Sequence, residues 1–508
     1  MSTNDLAAAA PTLPESGAES APSRWSRWSD RLNPILVREV QQAVKGRVFS
    51  LTVWAALIIG VIIAITVAGD YQSNATGGRN AFDAGLATLV PLLIFVVPMQ
   101  AYQSMRLELR SGIVEQLLLS QLRPRRIVTG KLAAAMVQFV LYVSVMAPLL
   151  ATSYLLRGVD LPTILITLVF ALVFCVTATG FAISAAAQGA LPAMQGMANL
   201  AVATGLSLAS FGLMGYVGSG ECVRDLAWLA RSAEFGLVTS LVLLGGVAST
   251  VLSSLTAQCF LAHAFENRST AFRVYLFAVA AVVFAWIWAF VPASGRDESV
   301  VAATFALVLL GSVFGVFMVT EQRDLSPRVR AHVPRSPLLA VLAAPFLPGR
   351  NRGALCVVLY LLLVGAVAMA WWPAFTTRHF LQSAARMSAM TGAYAVIYLA
   401  LGRWLRGRLP ATVMGNHVAR FLLPMLLLVC CVAPLLLDVF VQGRVRGWHI
   451  GHVMNPFLTI DEFMSSSRRG SIVDGLLIAA GVAVALQLPA LLGGVREVLA
   501  ASRSRRGA

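Results

Sequence analysis

Residues 161–187 read Leu-Pro-Thr-Ile-Leu-Ile-Thr-Leu-Val-Phe-Ala-Leu-Val-Phe-Cys-Val-Thr-Ala-Thr-Gly-Phe-Ala-Ile-Ser-Ala-Ala-Ala, and no Asp, Glu, Lys or Arg follows until after Gly220. About 20 apolar residues in a helix cross a hydrocarbon core about 30 Å thick. The stretch 161–220 is long enough for two crossings. Gln188-Gly189-Ala190-Leu191-Pro192 divides it, because Gly and Pro punctuate helices.

The same reading along the chain gives twelve apolar runs, at about 49–69, 84–104, 132–156, 161–187, 191–217, 236–262, 272–293, 299–320, 353–374, 385–402, 419–439 and 473–495. Composition agrees. The 508 residues are 58% hydrophobic and 12% charged, with mean hydropathy +0.77, whereas soluble domains run about 45–50% apolar and about 25% charged. A soluble enzyme, a disordered chain and a disulfide scaffold are excluded. The expected fold class is an all-α polytopic membrane protein of about 12 transmembrane helices. Residues 1–30, rich in Ala, Ser and Pro, read as a disordered tail and not a signal peptide. The six cysteines form no CxxC and read as small apolar residues.

Charge orients the spans. An even number of crossings puts both termini on one side. With that side inside, the inner segments hold 28 of the 39 Lys and Arg, as the positive-inside rule requires. Both termini are therefore expected in the cytoplasm, and the net charge of +16 reads as membrane topology, with no nucleic-acid partner. Asp438 and Asp474 fall at span ends, and no charged residue lies at the centre of a span. This argues against ion-coupled transport through a buried carboxylate. Nor is there a P-loop: Gly130-Lys131 comes nearest to GxxxxGK, but Arg125 stands where its first glycine belongs.

Two inner segments carry pattern. In 33–49, Asn33 can cap a helix and Pro34 suits its first position. Val37, Val40, Val44 and Val48 share one face, with Arg38, Glu39, Gln41, Gln42 and Lys45 elsewhere. This is a short amphipathic helix at the inner surface before the first span, contacting membrane lipids. Residues 105–131 hold a charged stretch, then Gly112, then a leucine-rich helical segment over 113–122 that Arg123-Pro124 breaks. An exposed leucine-rich turn needs a partner or a membrane surface to cover it, and a helix laid in a partner's groove is one use.

That loop and the spans around it resemble the permease subunits of type-2 ATP-binding-cassette (ABC) transporters. The family's loop typically reads Glu-x-x-x-Gly-x-x-Glu-x-Leu-Leu-x-x-Pro-Leu-x-x-x-x-Ile-x-x-Gly-Lys. Here Glu108, Gly112, Glu115, Leu117, Leu118, Leu122, Ile127, Gly130 and Lys131 match, while Gln121 replaces the proline and Pro124 stands nearby. The resemblance covers about residues 31–265. It implies a transport permease subunit, not itself an enzyme, in a bacterial cytoplasmic (inner) membrane and acting as an exporter. A separate ATPase subunit with a Walker A motif would bring ATP and magnesium, and this chain would carry no cofactor. Coupling to that partner would run through Glu108, Gly112, Glu115, Gln116, Leu117, Leu118, Leu122, Arg123, Pro124 and Lys131. The interface helix would contribute Asn33, Pro34, Arg38, Glu39 and Lys45.

Residues 266–508 add a second six-span bundle with no visible internal repeat. It reads as an accessory bundle, with a second permease chain completing the pore, or as a diverged permease half. The outer loop 440–472 carries His449, His452 and Asp461, which could hold a metal. A lipid-modifying enzyme acting there is the competing function. The stronger reading of that loop is an interfacial belt, with Trp448 at headgroup depth. Outer segment 219–235 reads equally as a surface loop or as a short re-entrant helix.

Overall fold

A computed structural model describes residues 33–70, 77–119, 122–188, 192–262, 266–267, 269–321, 325–371, 379–408, 416–442, 450–465 and 469–505. Among the described residues the chain is all-helical, and twelve of the helices there are long and apolar enough to cross a membrane. The tail 1–30 lies outside the described residues.

Helix α1 (Pro34–Lys45) precedes span 1, α2 (Arg47–Asp70). Span 2 is α3 (Gly77–Arg110), and α4 (Ile113–Leu119) follows it. Spans 3 to 5 are α5 (Pro124–Leu155), α6 (Leu161–Ala187) and α7 (Pro192–Gly218). The short helix α8 (Glu221–Arg231) leads to span 6, α9 (Phe235–Leu261). Spans 7 and 8 are α10 (Thr270–Phe290) and α11 (Ala293–Val319). Between spans 8 and 9 lie α12 (Pro327–Arg330) and α13 (Pro337–Ala343). Spans 9 to 11 are α14 (Arg350–Ala370), α15 (His379–Arg408) and α16 (Asn416–Gln442). After α17 (Pro456–Ser465), α18 (Arg469–Ser504) closes the chain as span 12.

Several helices outrun their apolar runs. Span 2 begins near Arg79 and ends at Arg110, where charged side chains find partners at the two ends of the bundle. Leu92–Val96 within it is a π turn between Pro91 and Pro98, the usual response when a helix must absorb an irregularity. Within the leucine-rich segment 113–122, helix α4 covers Ile113–Leu119 and Leu122 is not helical, while residues 120–121 lie outside the described residues.

The two halves share a packing order. Span 2 packs on spans 3, 4 and 5, and span 6 on spans 3 and 4. Span 8 packs on spans 9, 10 and 11, and span 12 on spans 9 and 10. In each half the short helix before the last span touches the fourth and sixth spans of that half, α8 in the first and α17 in the second. The sequence shows no such repeat. Helix α8 occupies outer segment 219–235 and buries Cys222, Val223 and Leu229 while Trp228 stays exposed. Burial, with Asp83 and Asp225 nearby, pushes the Cys222 thiol up to about 11, and all six cysteines are free thiols. The halves meet along spans 6 and 7, where Leu252 joins Phe272, Leu276 and Ala280 in one core.

Spans 8 and 9 approach most closely at Gly353, where a Cβ would overlap the Met318 carbonyl. Gly353→Val should cost about 1–3 kcal/mol by overpacking. Gly365, with open space at its Cβ position, should tolerate the same change. Thermal unfolding of the purified chain compares them, and equal melting temperatures would count against this contact.

Candidate functional site

The sequence-predicted residues of the inner loop divide into a buried group and an exposed group. The buried group gathers three elements. Lys131 on α5, 2% exposed, reaches Glu39 on α1 at 2.6 Å and Glu108 on α3 at 3.0 Å. Its Nζ also donates to Ser104 Oγ at 2.7 Å, and that hydroxyl donates to Glu39 Oε2 at 2.9 Å. Arg38 pairs with Glu108. Two cations thus face two carboxylates, and the cluster is neutral where solvent screening is weakest.

Local sequence explains the arrangement. Asn33 caps α1 by accepting from the Ile35 N–H at 3.1 Å, and its Nδ2 donates to the Arg126 carbonyl at 2.7 Å. Pro34 at the first position of α1 is exposed. Gly130 lets α1 lie directly on α5, since a Cβ there would come within 2.9 Å of Ile35 Cβ and 3.0 Å of Asn33 Nδ2. With α1 so placed, Ile35 and Glu39 point into the bundle while Val44 and Val48 stay exposed. The valine face is therefore not the face on the protein. Glu39, expected on the polar side, is buried because Lys131 is there to receive it. Lys45 lies at the exposed far end of the helix.

The exposed group is presented by a turn. Gly112 has φ +73°, in the left-handed region, and reverses the chain between α3 and α4. Val114 is buried, and Leu117 and Leu118 pack against a core containing Ile35, Met105 and Ile127. Glu115, Gln116 and Leu119 face outward, Leu119 being 78% exposed. Leu122 is half-buried, Arg123 is the exposed N-cap residue and Pro124 starts α5. Helix α4 thus rests on the same core as the ionic cluster and leaves a mixed polar and apolar face uncovered.

Sequence reasoning missed Ser104 and a second set of ion pairs, each built on a buried arginine. In the second half, Arg273 at the start of span 7 pairs with Glu321 at 2.6 Å, and Glu321 also accepts from the Gly349 N–H at 2.8 Å. Arg352 at the start of span 9 pairs with Glu497 at 2.6 Å. The available signal was a basic residue opening one span and a carboxylate closing another.

At the opposite end lie His452 and Asp461, two of the three residues of the weaker, metal-binding reading of segment 440–472. His452 Nε2 lies 3.2 Å from Asp438, both buried. Asp461 is exposed, and His449 lies outside the described residues. No group of three or more His, Cys, Asp or Glu suited to a metal occurs among the described residues.

No family model matches the chain, and neither a curated protein nor a solved structure matches it.

Removing one partner of a buried ion pair strands the other charges and costs about 3–5 kcal/mol. Lys131→Met should lower the melting temperature and, by releasing α1 from the bundle, speed tryptic cleavage at Arg38, with Glu39→Gln in the same chain recovering part of the loss. Unchanged proteolysis in the single variant would show that the cluster does not hold α1.

Proposed function

We propose that this multi-pass membrane protein is the permease subunit of an ATP-driven exporter, coupled to a separate ATPase subunit through α4. The observation that carries the reading is the burial of Lys131 between Glu39 and Glu108. It ties α1, span 2 and span 3 into one body at the arginine-rich end, and α4 stands on that body with Glu115, Gln116 and Leu119 uncovered. A push on α4 passes to two spans without first deforming the link, since close-packed interiors transmit strain. The absence of charge at span centres supports an energy source outside the membrane interior. A lipid-linked or otherwise amphiphilic cargo suits such spans.

The competing reading, an enzyme at outer loop 440–472, needs His449, His452 and Asp461 to act together. His452 is engaged by Asp438, so its support is weaker.

The test is gentle purification of the tagged chain from its own membrane and identification of what comes with it. One soluble protein with a Walker A motif is expected. Glu115→Arg with Leu119→Glu should weaken its retention at least about tenfold, equivalent to ~1.4 kcal/mol, while the altered chain keeps its elution profile. A partner held equally by the altered chain would remove α4 as the docking element. No ATPase under conditions that preserve comparable complexes would defeat the permease reading.

A further inference from the structure

Among the described residues four arginines are more than nine-tenths buried: Arg106, Arg273, Arg352 and Arg403. Three of them have partners. Arg273 binds Glu321 and the Pro345 carbonyl at 2.9 Å, Arg352 binds Glu497 and the Pro348 carbonyl at 2.8 Å, and Arg403 donates to Asn351 Oδ1 at 3.2 Å. Arg106 differs. It is 7% exposed, and its Nε and Nη2 are both buried and both without a partner.

Its neighbours make the gap specific. Tyr102, Arg106 and Arg110 are spaced four apart and form one stripe on α3. Tyr102 donates to Asn199 Oδ1 at 2.6 Å, and Arg110 Nη2 donates to Gln195 Oε1 at 2.7 Å, both on α7. The stripe is a ladder whose middle rung lacks its second half. Between Gln195 and Asn199 the chain offers Gly196 and Ala198, neither with a side-chain oxygen, and a Cβ at Gly196 would meet nothing within 4 Å. The nearest carboxylate along α3, Glu108, is taken by Lys131 and Arg38.

A guanidinium does not deprotonate in proteins. Burying one without a counter-charge costs several kcal/mol. Water would satisfy its N–H groups but would leave the charge, and Arg110 one turn away adds a second cation tied only to a neutral amide. We propose that the open rung between spans 2 and 5 is a binding site for a phosphate-bearing group, held by Arg106 and reinforced by Arg110. The planar fork of donors suits a tetrahedral oxyanion. Arg106 lies one turn from the end of span 2, at the depth where phospholipid headgroups and soluble phosphate esters both reach. The site stands independently of the transport reading, since it needs no ATPase partner.

The experiment uses the purified full chain in nanodiscs of phosphatidylcholine, with and without phosphatidylglycerol, and in neutral detergent with and without inorganic phosphate. Thermal unfolding and native mass spectrometry are the readouts. The parent chain should melt higher with phosphatidylglycerol, because a ligand that binds only the folded state stabilises it, and should retain that lipid. Arg106→Met should melt at or above the parent in phosphatidylcholine alone, having lost a stranded charge, and should retain phosphatidylglycerol about tenfold less. Arg110→Gln should fall between the two. A matching shift with inorganic phosphate assigns the site to soluble phosphate compounds; a shift with the lipid alone assigns it to headgroups. The proposal is overturned if neither probe shifts the parent, if parent and Arg106→Met shift equally, or if Arg106→Met is destabilised in phosphatidylcholine as Lys131→Met is.

Discussion

One ammonium group organises the arginine-rich end of the first half. Lys131 enters the bundle on span 3 and is buried with two carboxylates and a hydroxyl around it. Burying that charge alone would be costly, so Glu39, Glu108 and Ser104 must all be present. Their presence in turn dictates how α1 lies, where span 2 ends and from which platform α4 projects. Gly130 and Asn33 are consequences of the same demand. The helix bearing Glu39 reaches Lys131 only if nothing larger than hydrogen stands at 130.

The second half meets the same problem with other residues. Arg273 with Glu321 and Arg352 with Glu497 tie the starts of spans 7 and 9 to the end of span 8 and to the tail of span 12. The packing order of the spans is common to both halves, while the elements between the second and third span of each half are not. Helix α4 exposes Glu115 and Gln116 beside its leucines, whereas α13 exposes Leu338, Leu339, Val341 and Leu342 and no charge. Packing inside a bilayer constrains only which faces meet. The ends are freer to diverge, and this is why a shared architecture leaves no repeat that can be read residue by residue.

What could be read in advance follows the same division. Twelve spans were legible because hydropathy over about 20 residues reports a constraint that every crossing obeys. The division at Gln188–Pro192 was legible from Gly and Pro, and α6 and α7 end and begin there. The start of α1 at Asn33 and Pro34 was legible from cap chemistry. The inward turn of Glu39 was not, because the valine spacing named an apolar face and nothing local says that a carboxylate has a buried lysine waiting 92 positions away. Arg106 was invisible for the opposite reason. Its Nε and Nη2 are buried with no partner among the described residues, and a pattern of residues does not display an absence.

Span 2 shows how these local solutions bear on one another. Its C-terminal third carries Tyr102, Ser104, Arg106, Glu108 and Arg110, and so holds span 3, span 5 and α1 at once. Its N-terminal third carries Arg79 and Asp83, with Arg79 donating to the Gly220 carbonyl at the start of α8. A helix held so firmly at both ends has little freedom to tilt as a rod. The π turn at Leu92–Val96 lies between the two anchorages, flanked by Pro91 and Pro98, where the regular backbone ladder is already broken. There the helix bends at least cost, and there it faces the core formed by Ala135, Phe139 and Tyr142 of span 3.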